Sequence, residues 1–246
     1  MKFTLVIPAF NEAPVVVPTL TVLRDALTRE RDLEWAIIVA DNASTDGTGD
    51  AVARIGDARI RVLLIPAKGK GNAVRSAFLK ADGDVVGFTD ADLPVLPEEI
   101  VAAAKIVAEG AADVVAGSRL LPESVMPDRE WWRTVSSRVF NRFARLVVGV
   151  SVGDTQCPLK VMNTKGRDIL LATLESTWFF DLEFFALAER LLLRVREVPV
   201  TWNEHRYPAR KSKLAPADTL RAVVAMFRIR RRLSAQVSRL KQKMLT

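Results

Sequence analysis

The 246-residue chain contains one cysteine, one histidine and one tyrosine, and each scarcity removes a class of chemistry. A lone Cys157 cannot build a disulfide framework, and with no histidine beside it the thiol is expected to pack as a small buried residue. His205 alone cannot supply a histidine-rich metal centre, and no G-x-S-x-G elbow accompanies it to complete a Ser-His-Asp hydrolase. The G-x-x-x-x-G-K-S/T phosphate loop is missing too, which argues against ATP. No apolar run approaches the roughly 18 residues of a spanning helix, so any meeting with a membrane is expected at its surface. No apolar leader follows Met1, so a cytoplasmic, reducing setting is expected.

What is present is an ordinary globular composition, 49% hydrophobic and 26% charged, enough for one sizeable core. The net charge of +7 is unevenly placed. Residues 205–246 carry twelve Lys and Arg against the single acid Asp218, a net +11, while the preceding residues carry 24 against 28, a net −4. Such a segment suits phosphates, on anionic lipid or on a phosphorylated substrate. No RNA or DNA module is recognisable, so nucleic acid is not expected as a partner.

Five short apolar runs have strand length and β-branched content: Phe3 to Ile7, Trp35 to Ala40, Arg61 to Ile65, Asp84 to Thr89 and Asp113 to Ala116. Helix-length stretches separate the first four, Ala13 to Thr28, Asp46 to Ile55 and Gly71 to Ala81. Regular alternation predicts an α/β fold with parallel strands and right-handed crossovers. Ligands of such sheets collect beyond the carboxyl ends of the strands, which makes the following loops the place to look. Those loops are Pro8-Ala9-Phe10-Asn11-Glu12, Asp41-Asn42-Ala43-Ser44-Thr45-Asp46-Gly47-Thr48 and Asp90-Ala91-Asp92-Leu93-Pro94, three carboxylate-bearing segments expected on one rim. Any one of them alone is equally well read as turn and capping chemistry.

Asp90 and Asp92 leave an apolar strand one residue apart. Two such carboxylates offer hard oxygen ligands for Mg²⁺ or Mn²⁺, with the remaining ligands from water or a diphosphate. The segment Lys68-Gly69-Lys70-Gly71-Asn72-Ala73-Val74-Arg75 superficially resembles a dinucleotide fingerprint, but Val74 replaces the third glycine. What remains is a basic helix entrance at Lys70, Gly71 and Arg75, suited to a ligand phosphate or hydroxyl, or else a plain turn before a solvated helix.

Taken in order, VIPAFNE, DNASTDGT, KGKGNAVR, DADLP, GSR, DTQCPLK, WFFDLEF and VPVTWNE followed by SKL resemble family 2 glycosyltransferases of the GT-A fold, over nearly the whole chain. Within that family the polyprenyl-phosphate and dolichyl-phosphate sugar synthases are most similar, especially the dolichyl-phosphate glucosyltransferase branch. The resemblance implies a Rossmann-like, mostly parallel sheet flanked by helices, with C-terminal amphipathic helices. It implies donor contacts from Pro8, Ala9, Phe10, Asn11 and Glu12, base reading by Asp41, and a metal-diphosphate motif at Asp90, Ala91 and Asp92. Arg119 of Gly117-Ser118-Arg119, with Arg133 and Gln156, falls where the acceptor phosphate is placed. Asp154, Asp181 and Glu183 fall on the acceptor side, for orientation first and base catalysis second. Ser212-Lys213-Leu214 with Arg206 implies a basic lid over phosphates, with a solvated charge run as the bland alternative. Two departures stand out: Asn42 where a second Asp is common, and Pro94 where mannosyl-transferring relatives often carry a side chain able to approach the metal.

Two apolar stripes edged by arginine complete the inventory. One runs through Trp131, Trp132, Val135, Val139, Phe143, Leu146, Val147 and Val150, and the other through Leu220, Val223, Val224 and Phe227 into Arg228, Arg230, Arg231 and Arg232. Each is read either as an interfacial helix on an anionic membrane or as core packing with snorkelling arginines. The expected organisation is a GT-A domain over 1–217, with a nucleotide-sugar half to 117 and an acceptor half from 118, then a basic amphipathic helix or tail over 218–246. The expected reaction is inverting transfer of a hexose from UDP-glucose, or second from GDP-mannose, to a polyprenyl phosphate at the cytoplasmic face of a membrane. A soluble phosphorylated acceptor and a non-catalytic nucleotide-sugar-binding protein are the rivals.

Overall fold

The computed structural model describes residues 1–127, 131–203 and 217–245. Seven strands form one sheet: β1 (Lys2–Ala9), β2 (Glu34–Asp41), β3 (Ile60–Leu64), β4 (Val85–Phe88), β5 (Val114–Ser118), β6 (Lys160–Asn163) and β7 (Val195–Pro199). Their order is β3-β2-β1-β4-β6-β5-β7, and only β6 runs against the rest. The helices between them are α1 (Ala13–Arg29), α2 (Thr48–Ala53), α3 (Lys70–Phe78), α4 (Pro97–Ala108), α5 (Trp131–Val148), α6 (Thr164–Leu171), α7 (Phe180–Arg190) and α8 (Ala217–Leu245). The five predicted strands and the first three helices all form. Two strands lie beyond the expected five: β6, because LKVM carries a lysine inside an apolar run too short to stand out, and β7, because Arg196 and Glu197 interrupt VREVP.

The chain winds outward from β1 to β3, then returns across the sheet to place β4 on the other side of β1. The crevice between the carboxyl ends of β1 and β4 is therefore the topological switch point, where open α/β sheets take their ligands. Side-chain alternation builds a core on each face. Phe3, Leu5 and Ile7 of β1 pack with α1 and α4 residues such as Leu20, Leu23 and Ile100, while Val6 faces the layer holding Ala73, Val74, Phe180, Phe184 and Met226.

The α8 helix is built into this second layer rather than hanging from it as a tail. Ala222, Ala225, Met226, Ile229 and Leu233 are buried at helical spacing, and α8 packs against α5 and α7. Arg232 reaches the fully buried Glu183 through two hydrogen bonds, Nε to Oε1 at 2.9 Å and Nη2 to Oε2 at 2.7 Å. Arg228 pairs with the buried Glu175 at 3.3 Å, and Arg230 donates to the Val147 carbonyl at 3.2 Å. Of the four arginines in the second stripe, Arg228 and Arg232 are thus tied inward, whereas Arg231 is exposed beside the exposed Val224 and Phe227. Arg228 and Arg232 hold α8 to the domain because buried carboxylates require a cation partner, and Arg230 adds a bond to a backbone carbonyl.

The first stripe is exposed over most of its length. Trp131, Trp132, Val135, Val139, Phe143 and Leu146 of α5 are all exposed, and the helix buries Asn141, Ala144 and Val148 instead. Core packing accounts only for the end of this stripe, where Val147 is half-buried and Val150 buried. Replacing Arg232 by Met should leave Glu183 buried without its cation and cost about 3 kcal/mol. The expected result is a Tm lower by something on the order of 10 °C in a thermal melt, with an exposed α5 substitution such as Val139→Ser shifting it far less.

Candidate active site

The loops after β1 and β2 are stitched together before any ligand arrives. Asn11 donates its backbone N–H to Ser44 Oγ at 3.0 Å and accepts from the Thr45 N–H at 2.8 Å. Glu12 donates its N–H to Thr48 Oγ1, and Asp46 caps α1 by accepting from the Ala13 N–H at 3.0 Å. The carboxylate of Asp41 accepts the Ser44 N–H at 3.0 Å, which tightens the turn that carries it. Asn42 donates to the Ala67 carbonyl and accepts from the Gly69 N–H, both at 2.7 Å, so it ties the β2 loop to the α3 entrance. An aspartate there could not donate, which accounts for the amide at this position. Pro8, Ala9, Phe10, Asn11, Glu12 and Asp41 thus share one rim, where the Phe10 ring stands exposed with the Lys68 ammonium 5.6 Å from its centroid.

Across the switch point lies the Asp90-Ala91-Asp92 turn. It is closed by the Leu93 N–H donating to the Asp90 carbonyl at 3.0 Å, and buried Ala91 accepts at its carbonyl from Thr19. The Lys70 ammonium sits 2.6 Å from Asp90 Oδ1, with the Trp178 ring 5.0 Å and the Phe88 ring 5.9 Å from it. Burial on its own would lower the Lys70 pKa, but Asp90 and then Asp181 more than reverse this and hold it raised. Among the described residues no three His, Cys, Asp or Glu side chains cluster as a self-sufficient metal site. Two carboxylates beside a cleft are nonetheless hard-oxygen donors, and they fit a cation whose shell is finished by water and substrate phosphate.

Gly71 and Arg75 are corrected. The Gly71 N–H is taken by the Ser176 carbonyl at 2.9 Å, and a Cβ there would meet the Glu175 carbonyl oxygen at 2.5 Å. Glycine is needed so that α3 can lie against residues 175–176, and its amide is not offered to a phosphate. Arg75 is likewise committed to the Glu175 carbonyl at 2.6 Å, Thr173 Oγ1 at 3.2 Å and Asn72 Oδ1 at 2.7 Å.

The residues expected on the acceptor side are organised by a buried fork. Arg119 donates through Nε and Nη2 to the two oxygens of Asp154, at 2.7 and 2.9 Å, and its backbone N–H binds the same carboxylate at 3.0 Å. The Trp202 ring lies 4.7 Å from the guanidinium. Burial works to raise the Asp154 pKa, but the Arg119 charge and its hydrogen bonds prevail and lower it to about 2. The loop beneath is fixed in turn. Glu197 of β7 accepts the N–H groups of Gly153 and Asp154, and Asn141 accepts from the Thr155 N–H and hydroxyl. Gln156 donates its N–H to Asp154 Oδ1 at 3.3 Å, while the buried Cys157 thiol is pushed up to about 12 by desolvation, unsuited to nucleophilic work.

Asp181 and Glu183 separate although only two residues apart, because that spacing turns them to different sides of α7. Asp181 pairs with the fully buried Lys160 at 3.2 Å, and both Lys160 and Lys70 act on its charge. Glu183 goes to Arg232 and to the N–H groups of Leu174 and Glu175, so its expected place on the acceptor side is corrected to a structural one. Lys160 was overlooked. It donates to the Thr155 carbonyl at 2.9 Å and to the Cys157 carbonyl, binding the loop of Asp154 to Asp181. The signal was available, since a lysine inside the apolar LKVM run needs a buried partner. Arg206, Ser212 and Lys213 lie outside the described residues, as does the side chain of Arg133 on α5.

A sheet of this order with a carboxylate turn at its switch point is a GT-A-like fold. The family profile described as Glycosyl transferase family 2 matches residues 4–167, and the chain belongs to that family. Glycosyltransferase AglD of Haloferax volcanii is 31% identical over 82% of this chain and 33% of its own length. The dolichyl-phosphate beta-glucosyltransferase of Drosophila melanogaster is 30% identical over 83% of this chain and 68% of its own. The undecaprenyl-phosphate 4-deoxy-4-formamido-L-arabinose transferase of Serratia proteamaculans is 30% identical over 87% and 63%. The chain thus spans between a third and about two thirds of the length of these curated relatives. Among solved structures, glucosyl-3-phosphoglycerate synthase of Mycobacterium tuberculosis with uridine diphosphate superposes with a TM-score of 0.64 at 22% identity, covering 93% of this chain and 79% of that one. The likeness establishes the fold.

The depressed Asp154 carboxyl has a measurable consequence. A group held at about 2 when folded and 3.8 when free contributes stability that is fully present above its ordinary value and is lost as pH falls through the folded value. Unfolding free energy followed by urea titration between about pH 5 and pH 2 should therefore lose about 2 kcal/mol on this account. Asp154→Asn should be less stable at neutral pH and show a flatter acid limb. An acid limb identical to that of the unaltered chain would remove Asp154 from the ion pair described.

Proposed function

We propose that the chain transfers a hexose from a nucleoside diphosphate sugar, UDP-glucose first, to a polyprenyl phosphate at a membrane surface. The observation that carries this is the closeness of two differently equipped sides. Asp90, paired with Lys70, also acts electrostatically on Arg119, so the carboxylate turn and the Arg119–Asp154 fork lie in one charge field. The dolichyl-phosphate and undecaprenyl-phosphate relatives support a polyprenyl acceptor, and the fold neighbour solved with Mn²⁺ and UDP-glucose supports the donor class.

In this proposal Phe10 and Asp41 take the nucleobase end, with Pro8, Ala9, Asn11 and Glu12 shaping that wall. Asp90 and Asp92 would hold Mg²⁺ or Mn²⁺, which when bound neutralises charge on the departing diphosphate. Lys70 adds a fixed positive charge beside the same phosphates. Arg119, oriented by Asp154 and Gln156, takes the acceptor phosphate, and Arg133, Arg206, Ser212 and Lys213 are assigned to the same phosphate traffic. A phosphate monoester is already anionic at neutral pH, so positioning suffices and no carboxylate need accept a proton.

The test is a donor panel of UDP-glucose and GDP-mannose against a polyprenyl phosphate and a soluble phosphorylated acceptor, with products identified by mass. Glucosyl transfer to the polyprenyl phosphate is expected, and Asp92→Asn should lower turnover by at least about a hundredfold with the Tm little changed. Transfer only to the soluble acceptor would overturn the lipid assignment, and no transfer with any donor would favour a binding protein.

The exposed apolar face of α5, edged by exposed Arg138, Arg142 and Arg145, supports the membrane surface. The protein should float with anionic vesicles, detach as salt rises and bind neutral ones far less, since such attraction is screened over about 10 Å at 0.1 M salt. Replacing Trp131 and Val139 by Ser should abolish flotation without lowering the Tm. Equal binding to both vesicle types, or to neither, would end the interfacial role of α5.

A further inference from the structure

We propose that Lys70 makes cation binding at Asp90 conditional on the nucleoside diphosphate, by occupying the cation's carboxylate until phosphate arrives. The ammonium lies 2.6 Å from Asp90 Oδ1, in a side chain only 9% exposed, against the faces of Trp178 and Phe88. It has little freedom to withdraw. Lys70 begins α3, and the next residue is pinned by its N–H to the Ser176 carbonyl with no room for a Cβ. A divalent ion approaching Asp90 therefore meets both a competitor for the oxygen and a fixed like charge in a poorly solvated place, where repulsion is stronger than in water.

A diphosphate reverses the balance. It brings negative charge that the metal ion and Lys70 can share, so the ammonium turns from competitor to partner without moving far. Asp181, which also acts on Lys70, stays a second anionic neighbour beside it while the cation takes its share of Asp90. Given the donor-site assignment on which this rests, the consequence is cooperativity. The bare cation binds weakly, the nucleotide binds weakly without it, and the two bind well together.

The discriminating variant is Lys70→Met, which keeps length and apolar bulk and removes the charge. Mn²⁺ binding is followed by electron paramagnetic resonance and calorimetry, alone and with saturating UDP, then repeated with GDP. The unaltered protein should bind Mn²⁺ alone poorly and gain strongly from the nucleotide. In Lys70→Met, Mn²⁺ alone should bind about tenfold more tightly, and the gain from nucleotide should shrink by a similar factor. Lys70→Arg should keep the cooperative pattern, and Lys70→Gln replaces the Met variant should that fail to give a native melt. Equal or weaker Mn²⁺ binding by the charge-removed variant, while the unaltered protein still binds Mn²⁺ with UDP or GDP, would overturn the gating role and leave the donor site standing. If the unaltered protein binds neither nucleotide in a Mn²⁺-dependent way, the donor assignment falls and the gating role with it.

Discussion

The rest of the structure depends on one constraint: a parallel sheet delivers its loops to a single edge, and here those loops bring carboxylates into a space with little water. Asp90, Asp154 and Asp181 come from a strand end, a long loop and a helix, yet each meets a cation inside the protein. An unpaired carboxylate at such depth would protonate or pull the fold apart. Lys70, Arg119 and Lys160 are thus conditions of folding as much as instruments of chemistry.

The same requirement explains why the C-terminal arginines turn inward. Glu175 and Glu183 lie buried where α8 packs, and α8 supplies Arg228 and Arg232 to them. Docking α8 places Met226, Ile229 and Leu233 in the core, so an electrostatic demand and an apolar one are met by one helix. The division within α7 is the instructive part. Asp181 faces the site and Glu183 faces the scaffold, and nothing but helical rotation separates their roles.

The sheet and the rim were legible in the sequence because both leave local signatures. Apolar runs of strand length and turn residues after them mark β1 to β5 and their loops, and the motif order marks the family. What stayed hidden was pairing at a distance. Nothing near Gly71 announces that its amide is taken a hundred residues later, and nothing near Glu183 announces Arg232. The two arginine-edged stripes looked alike as periodic patterns, and most of the α5 stripe is exposed together with Val224 and Phe227 of the α8 stripe, while α8 enters the core through a different row, Ala222, Ala225, Met226, Ile229 and Leu233. Amphipathicity gives a helix two faces, and only the tertiary fold says which one is covered.

The Arg119–Asp154 fork and the Asp181–Lys160 pair bear on the kind of nucleophile the proposed acceptor side would suit. A hydroxyl acceptor needs a base with an affinity for protons near neutrality and a free lone pair. Asp154 has neither, since its pKa is near 2 and both oxygens are in the Arg119 fork. Burial does raise the Asp181 pKa, but the carboxylate is nearly inaccessible and is held by Lys160. With both acids committed to positioning, the arrangement favours an acceptor that arrives already charged. A phosphate oxygen meets that demand, and the same arginine that would repel a metal ion would draw it in.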